Sequence, residues 1–354
     1  MAIIELENLA KTYRVYRKAE GLAASLRGLV RRRYRPVEAV KGISLTVDEG
    51  QFVAFLGPNG AGKTTTLKML SGVVNPTSGT AHVMGFVPWE RRHAYRRQFA
   101  LVMGQKNQLW WDLPAAESFR LHQQIYGIDP DIFARTQHEL VTLLDIGSLI
   151  HQPVRELSLG ERMKMELVTA LLHRPRVLFL DEPTIGLDVV AQHSIRTFLR
   201  DYQEQYGVTV LLTSHYMKDV LALCRRVVVI AQGKIMYDGS LAGITDRFGG
   251  HKIVTFEFAG DVTGEIDAEL EAQGHILSRE GPRLRLRIDR RAVTSVLGRV
   301  LATHAIEDVS VEDPPLEEVI AEVFASVDTA SKLDDAVGNV IPGTSVTKGG
   351  DRRS

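Results

Sequence analysis

Eight consecutive residues, Gly57-Pro58-Asn59-Gly60-Ala61-Gly62-Lys63-Thr64, fit the pattern G-x-x-x-x-G-K-[ST]. Glycines let backbone N–H groups curl inward toward an anion, and a helix beginning directly after them adds the positive end of its dipole. The lysine of such a loop reaches β- and γ-phosphates, and the hydroxyl that follows suits Mg²⁺. The context agrees: the apolar run 52–56 reads as a buried strand before the loop, and 65–71 as the helix after it. A second chemical site ends another apolar strand, at Phe179-Leu180-Asp181-Glu182. Asp181 is placed to support Mg²⁺, and Glu182 to polarise a water for attack on a γ-phosphate.

These groups need a scaffold, and the flanking sequence supplies one. Short apolar strands recur at 99–103, 177–181, 208–213 and 226–231, with amphipathic stretches between them. That alternation predicts an α/β fold with a mostly parallel sheet covered by helices. Residues 226–239 read as a hairpin turning at Gln232-Gly233. Nearer the N-terminus, 2–9 and 43–47 read as strands. Beyond residue 240 the pattern changes. Ile253–Phe258 alternates, Leu284, Leu286 and Ile288 alternate with arginines, and two apolar repeats at helical spacing follow, Val293 to Leu301 and Leu316 to Phe324. We read 1–240 as one domain, 241–325 as a small α+β domain and 326–354, rich in Ser, Thr, Asp and Gly, as a disordered tail.

Composition narrows the function classes. The chain has 354 residues, 44% hydrophobic and 24% charged, which excludes collagenous, disordered and disulfide-built proteins and suits two domains. Its single cysteine, Cys224, excludes an internal disulfide or a Cys-rich zinc site and reads as a buried small hydrophobe. His82, His93, His122, His138, His151, His173 and His193 show no metal-ligand spacing. No apolar run approaches the roughly 18 residues of a membrane span, and the N-terminal MAIIELENLA lacks a signal peptide's features, so a cytosolic chain is expected. Forty-three basic residues balance 43 acidic ones, so no nucleic-acid partner is expected. The balance fails locally. Residues 14–36 form a basic insertion, interleaved with Leu22, Leu26, Leu29 and Val30 at helical spacing, that suits anionic lipid headgroups, an anionic substrate or another subunit, with a solvated loop as the alternative.

Further motifs join the phosphate loop in a fixed order. Tyr13 precedes it. Gln105 follows the strand ending Val102-Met103. Leu157-Ser158-Leu159-Gly160-Glu161 leads into the Asp181-Glu182 strand, and Ile185-Gly186-Leu187-Asp188 and Thr213-Ser214-His215 come after. Ser158 and Gly160, at the start of an amphipathic helix over 161–173, form a second helix-tip anion site. With these motifs residues 2–240 resemble the ATP-binding subunits of ABC transporters. The resemblance implies a P-loop NTPase core with antiparallel β and helical subdomains, the latter over about 100–175, and ATP and Mg²⁺ as cofactors. It implies that Tyr13 stacks on adenine, that Gly57 to Thr64 and Thr65 hold the phosphates, and that Thr64, Gln105 and Asp181 serve the metal. Glu182, His215 and Gln105 would be catalytic. Ser158, Gly160 and Glu161 would reach the ATP of a second subunit packed head to tail, so a homodimer is expected. Three residues depart from the usual pattern: Leu159 for Gly and Glu161 for Gln in the signature, and Ile185 for Ser after the catalytic strand. A leucine at 159 resists positive φ.

The stretches Thr64 to Leu70, Pro76 to Gly79 and Pro315 to Phe324 are similar to the ATPase subunits of exporters of drugs or glycans, which work with separate transmembrane permease subunits. That resemblance implies a peripheral protein on the cytoplasmic face of the membrane. Trp110-Trp111-Asp112-Leu113-Pro114 falls where such subunits receive a permease helix, and at least one Trp is expected on the surface. A soluble single-cassette assembly factor and a nucleotide-regulated binding module remain open as alternatives.

Overall fold

The computed structural model describes residues 1–16, 34–214, 216–260 and 270–325. Its strands, in chain order, are β1 (Ala2–Tyr16), β2 (Tyr34–Asp48), β3 (Phe52–Leu56), β4 (Ser78–Val83), β5 (Phe99–Met103), β6 (Val177–Asp181), β7 (Thr209–Thr213), β8 (Arg226–Ala231), β9 (Lys234–Ser240), β10 (His251–Phe258), β11 (His275–Glu280), β12 (Arg283–Asp289) and β13 (Ile306–Glu312). Every residue of β3, β6 and β7 is buried. Runs of that kind need cover on both faces and therefore belong inside a parallel sheet. They form its centre, in the order β5-β6-β7-β3-β8-β9, all parallel except β9. The turn into β9 falls at Gln232 and Gly233, both at positive φ, as the sequence predicts.

Alternate side chains of these strands enter different cores. Phe52, Ala54 and Leu56 face the helices Ala115–Tyr126, Pro130–Leu143, Leu159–Leu171 and Val189–Tyr206. Val53 and Phe55 face the helix Lys63–Leu70 and a three-stranded antiparallel sheet, β2-β1-β4. A third core lies beneath the sheet β11-β12-β10-β13 and its helix Val293–Thr303. The last described helix, over 316–325, buries Val319, Ile320 and Val323 in the first core, not the third. Its apolar spacing reveals a helix but not which core it joins.

Several elements outrun their predicted limits. β1 and β2 pair as far as Arg14↔Pro36, Val15↔Arg35 and Tyr16↔Tyr34, so both flanks of the basic insertion are strand. A cross-strand ladder holds residues whose own pattern does not alternate. The middle of the insertion, 17–33, and the tail 326–354 lie outside the described residues. Two helices begin two residues early, at Lys63 and Leu159, because Gly62 and Ser158 act as their N-caps. Among the described residues no helix is long and apolar enough to cross a membrane.

Candidate nucleotide site

The glycine-rich loop joins β3 to the helix Lys63–Leu70. Two of its glycines are required by contact. A Cβ on Gly57 would lie 2.1 Å from the Ile230 carbonyl oxygen, and one on Gly62, where φ is +108°, would lie 2.5 Å from that of Ala39. The loop is thus pressed between β8 and β2. Lys63 curls back over it and donates to the carbonyls of Gly57 (2.5 Å) and Pro58 (3.0 Å). Burial pulls the Lys63 ammonium below its ordinary range, and the carboxylates of Glu182 and Asp181 oppose that pull.

Asp181 ends β6 and is shared by two hydroxyls. Its Oδ1 accepts from Thr64 Oγ1 (2.9 Å) and from Thr213 Oγ1 (2.7 Å). The Glu182 amide donates to the Thr213 carbonyl (3.0 Å) and lies 3.1 Å from its Oγ1. Glu182 has φ +54°, a region most side chains avoid. Gly104 makes that backbone possible: its N–H donates to the Asp181 carbonyl (2.8 Å), and a Cβ on it would lie 2.1 Å from the Glu182 carbonyl oxygen. A strained backbone at a strand-end carboxylate is typical of a functional position held by its surroundings.

Two adjoining clefts open here. One, of about 360 Å³, is bordered by Asn59, Thr64, Lys68, Gln105, Asp181 and Glu182. The other, of about 280 Å³, runs along Gly60 to Thr65 against Val37, Glu38 and Ala39. The fold therefore gathers the loop, Gln105, Asp181 and Glu182, which are far apart in the chain. Tyr13 borders neither cleft; it pairs with Val37 across the ladder, with Lys11 Nζ 5.2 Å from its ring centre. His215 lies outside the described residues. Gly104 escapes sequence reasoning, and so does the role of Thr213, which the sequence marks only as the first residue of the Thr213-Ser214-His215 motif at the end of an apolar strand.

For a metal, the donors are a hydroxyl, a carboxylate and an amide from Thr64, Asp181 and Gln105, all hard oxygens of the kind Mg²⁺ takes. They fit the ion, which when bound would neutralise charge on the phosphates.

Ser158, Gly160 and Glu161 border neither cleft. They form a separate helix tip. Glu161 accepts from the Ser158 amide (2.8 Å), and Ser158 Oγ accepts from the Glu161 amide (3.3 Å), a closed capping box. The Glu161 carboxylate is thereby engaged by its own helix. Leu159 begins that helix and is absent from the residues with positive φ, so its side chain causes no backbone strain. Gly160, by contrast, must be glycine, because a Cβ there would lie 2.7 Å from Ala191 Cβ on the neighbouring helix. Asp188 caps that neighbour by accepting from the Ala191 amide (2.8 Å).

A phosphate loop after a buried strand, with a carboxylate pair ending a parallel strand nearby, defines a P-loop nucleoside triphosphatase. Comparison with known proteins carries the assignment further. The sequence profile described as ABC transporter matches residues 40–185, and that of the EvrA-like ABC transporter C-terminal domain matches 250–312. The linearmycin resistance ATP-binding protein LnrL of Bacillus subtilis (strain 168) is 29% identical over 297 residues, spanning 82% of this chain and 94% of LnrL. The Nod factor export ATP-binding protein I of Burkholderia lata is 39% identical over 216 residues, spanning 60% of this chain and 69% of that protein. A dimeric ATP-binding cassette in a post-hydrolysis state, bound to ADP and Pi, superposes with a TM-score of 0.56 at 22% identity, over 67% of this chain and 98% of the cassette. The chain belongs to the ABC transporter ATP-binding proteins and is an ATPase.

Proposed function

We propose that this chain is the ATP-hydrolysing subunit of an exporter, working as a head-to-tail homodimer beneath separate transmembrane permease subunits on the cytoplasmic face of the membrane. The observation that carries this reading is the division of the site. Loop, Gln105, Asp181 and Glu182 share one pair of clefts, while the Ser158 helix tip belongs to another surface of the same chain. Two copies placed head to tail bring each tip to the other's phosphates. The names of the relatives, linearmycin resistance and Nod factor export, and the dimeric state of the similar cassette support export and pairing. Trp110 and Trp111, 51% and 47% exposed, supply an aromatic surface for a permease helix.

The residues take the following roles. The loop amides and Lys63 hold the β- and γ-phosphates, Tyr13 and the β1–β2 rim take the adenine, and Thr64, Asp181 and Gln105 hold Mg²⁺. Thr213 keeps Asp181 and the Glu182 backbone in register. The Glu182 carboxylate accepts a proton from the water that attacks the γ-phosphoryl group, and ADP and phosphate leave. His215 and Ser158 contact the γ-phosphate from the two sides. The decisive experiment is Glu182→Gln with Mg-ATP: turnover should fall by about 10²–10⁴ and a stable ATP-bound dimer should appear on size exclusion. A variant that stays monomeric without bound nucleotide, or one that keeps its turnover, refutes the assignment.

The insertion 14–36 forms an anionic-lipid contact in this reading. Tyr16 and Tyr34 pair edge to face at the end of the ladder, next to Arg14 and Arg35. Replacing Arg31, Arg32 and Arg33 should weaken co-sedimentation with anionic vesicles; unchanged sedimentation overturns the lipid contact and leaves the ATPase reading intact.

A further inference from the structure

The segment after Gln105 is fastened to the helix Leu159–Leu171 at several points. Glu166, 3% exposed, accepts through Oε1 from the amides of Gln108 (2.7 Å) and Leu109 (3.2 Å). The Arg162 guanidinium lies 5.0 Å from the Trp111 ring centre. Ahead of the helix, the Arg155 amide donates to the Trp111 carbonyl (3.0 Å), and the Arg155 side chain reaches Asp112 (3.0 Å). Ser158 lies one turn ahead of Arg162, whose amide donates to its carbonyl (2.9 Å), and follows Arg155 by three residues. The aromatic surface and the tip that caps ATP are therefore parts of one fastened body.

Two atoms of this body are unsatisfied. Glu166 Oε2 and Arg162 Nε are buried without a hydrogen-bond partner among the described residues. Leaving such atoms unpaired costs free energy, most of all for charged groups. A glutamine would accept from the same two amides without a buried charge. The two orphan groups belong to side chains four residues apart on one helix, which places them on the same face within reach of each other. They do not pair here; the Arg162 guanidinium lies over the indole instead.

We propose that Arg162 and Glu166 form a two-position latch, in which Arg162 lies either on the Trp111 ring or on the free oxygen of Glu166, and that this exchange couples the Trp111 surface to the Ser158 tip. Glu166 is a positioning residue in this scheme, since it touches neither nucleotide nor permease. Coupling of this kind is reciprocal, so nucleotide at the tip must alter the surroundings of Trp111. The inference rests on the head-to-tail reading above, and the test separates the two.

The experiment uses the full chain with Glu182→Gln to retain ATP and Trp110→Phe to isolate Trp111; Trp89, packed against the second core, supplies a constant background. Nucleotide binding is measured with labelled ATP, and Trp111 by acrylamide quenching with and without Mg-ATP. The quenching constant should change about twofold on nucleotide addition, as a coupling of modest size requires. Glu166→Gln, which preserves shape and both amide bonds, should abolish that change while ATP affinity stays within about twofold; Arg162→Lys, which keeps the charge, should retain part of it. A full quenching response in Glu166→Gln, or none in the parent despite bound ATP, overturns the latch. A parent that binds no ATP overturns the functional reading and the latch with it.

Discussion

Glu166→Gln also makes a prediction about stability that stands apart from any transport assay. The two amide donors favour the ionised carboxylate, but burial outweighs them and pushes the carboxyl from its ordinary 4.5 up to about 7. The folded chain thus keeps a proton that the unfolded chain has released. Stability contributed by the protonated form is complete below about 4.5 and is lost as pH rises through about 7. From 4.5 to about 7, at about 1.4 kcal/mol per pH unit, the ionised side chain costs about 3 kcal/mol at pH 8 as an upper bound. Glutamine carries no charge to bury. Its amide nitrogen occupies the place of the unpartnered Oε2, so the unmet polar group is common to the variant and the neutral acid. The difference in stability between variant and parent should be near zero at pH 4.5 and grow to roughly 2–3 kcal/mol in favour of the variant by pH 8. Paired thermal or urea unfolding at half-unit pH steps, at constant ionic strength, measures it. A difference that stays flat with pH, or favours the parent at pH 8, refutes the claim that the cost is a buried charge.

Other outcomes follow from the same geometry. Thr213→Val removes the hydroxyl donor to Asp181 and should lower kcat about tenfold with little change in KM for Mg-ATP, since the phosphate loop is untouched; a large KM effect in steady-state assays would place Thr213 in binding. Gly104→Ala forces the Glu182 carbonyl away, so the variant should fold and bind ATP yet hydrolyse it slowly, readable as intact nucleotide affinity with reduced phosphate release. Leu159→Gly installs the residue usual in the signature, but the helix already begins there without strain, so the change should cost about 0.5–1 kcal/mol of stability and leave turnover no faster. Burial drives His173 from 6.5 down to about 4, so the folded chain holds it neutral while the unfolded chain takes up a proton, and stability is lost as pH falls from 6.5 toward 4. His173→Phe keeps the stack on Tyr126 (centroids 4.0 Å apart) and gives up one bond to the Phe99 carbonyl, so it should flatten the acid side of the stability profile.

Much of the site is legible in the chain because its chemistry is local. The loop Gly57–Thr64 packs its amides, lysine and hydroxyl into eight consecutive residues, and the strand before it is marked by an unbroken apolar run. Asp181-Glu182 is likewise a single step at a strand end. The signature helix is visible because an amphipathic pattern follows Ser158 and Gly160, whereas its start at Leu159 is set by the capping box between Ser158 and Glu161, which only the folded chain displays. The limits of β1 and β2 are not visible, because neither strand alternates cleanly and each is held in place by the other.

Local pattern is therefore enough for the identity of the cassette, the order of its motifs and the strands of its sheet, since a glycine loop or a period of two reports its own surroundings. The placing of Thr213 between Asp181 and Glu182, the close approach of Gly104 to the Glu182 carbonyl, the clasp of Glu166 on Gln108 and Leu109, and the return of the 316–325 helix to the first core belong to the folded chain alone. Each joins residues tens to hundreds of positions apart, and nothing in either partner's neighbourhood in sequence says which distant surface the sheet and its helices will bring against it.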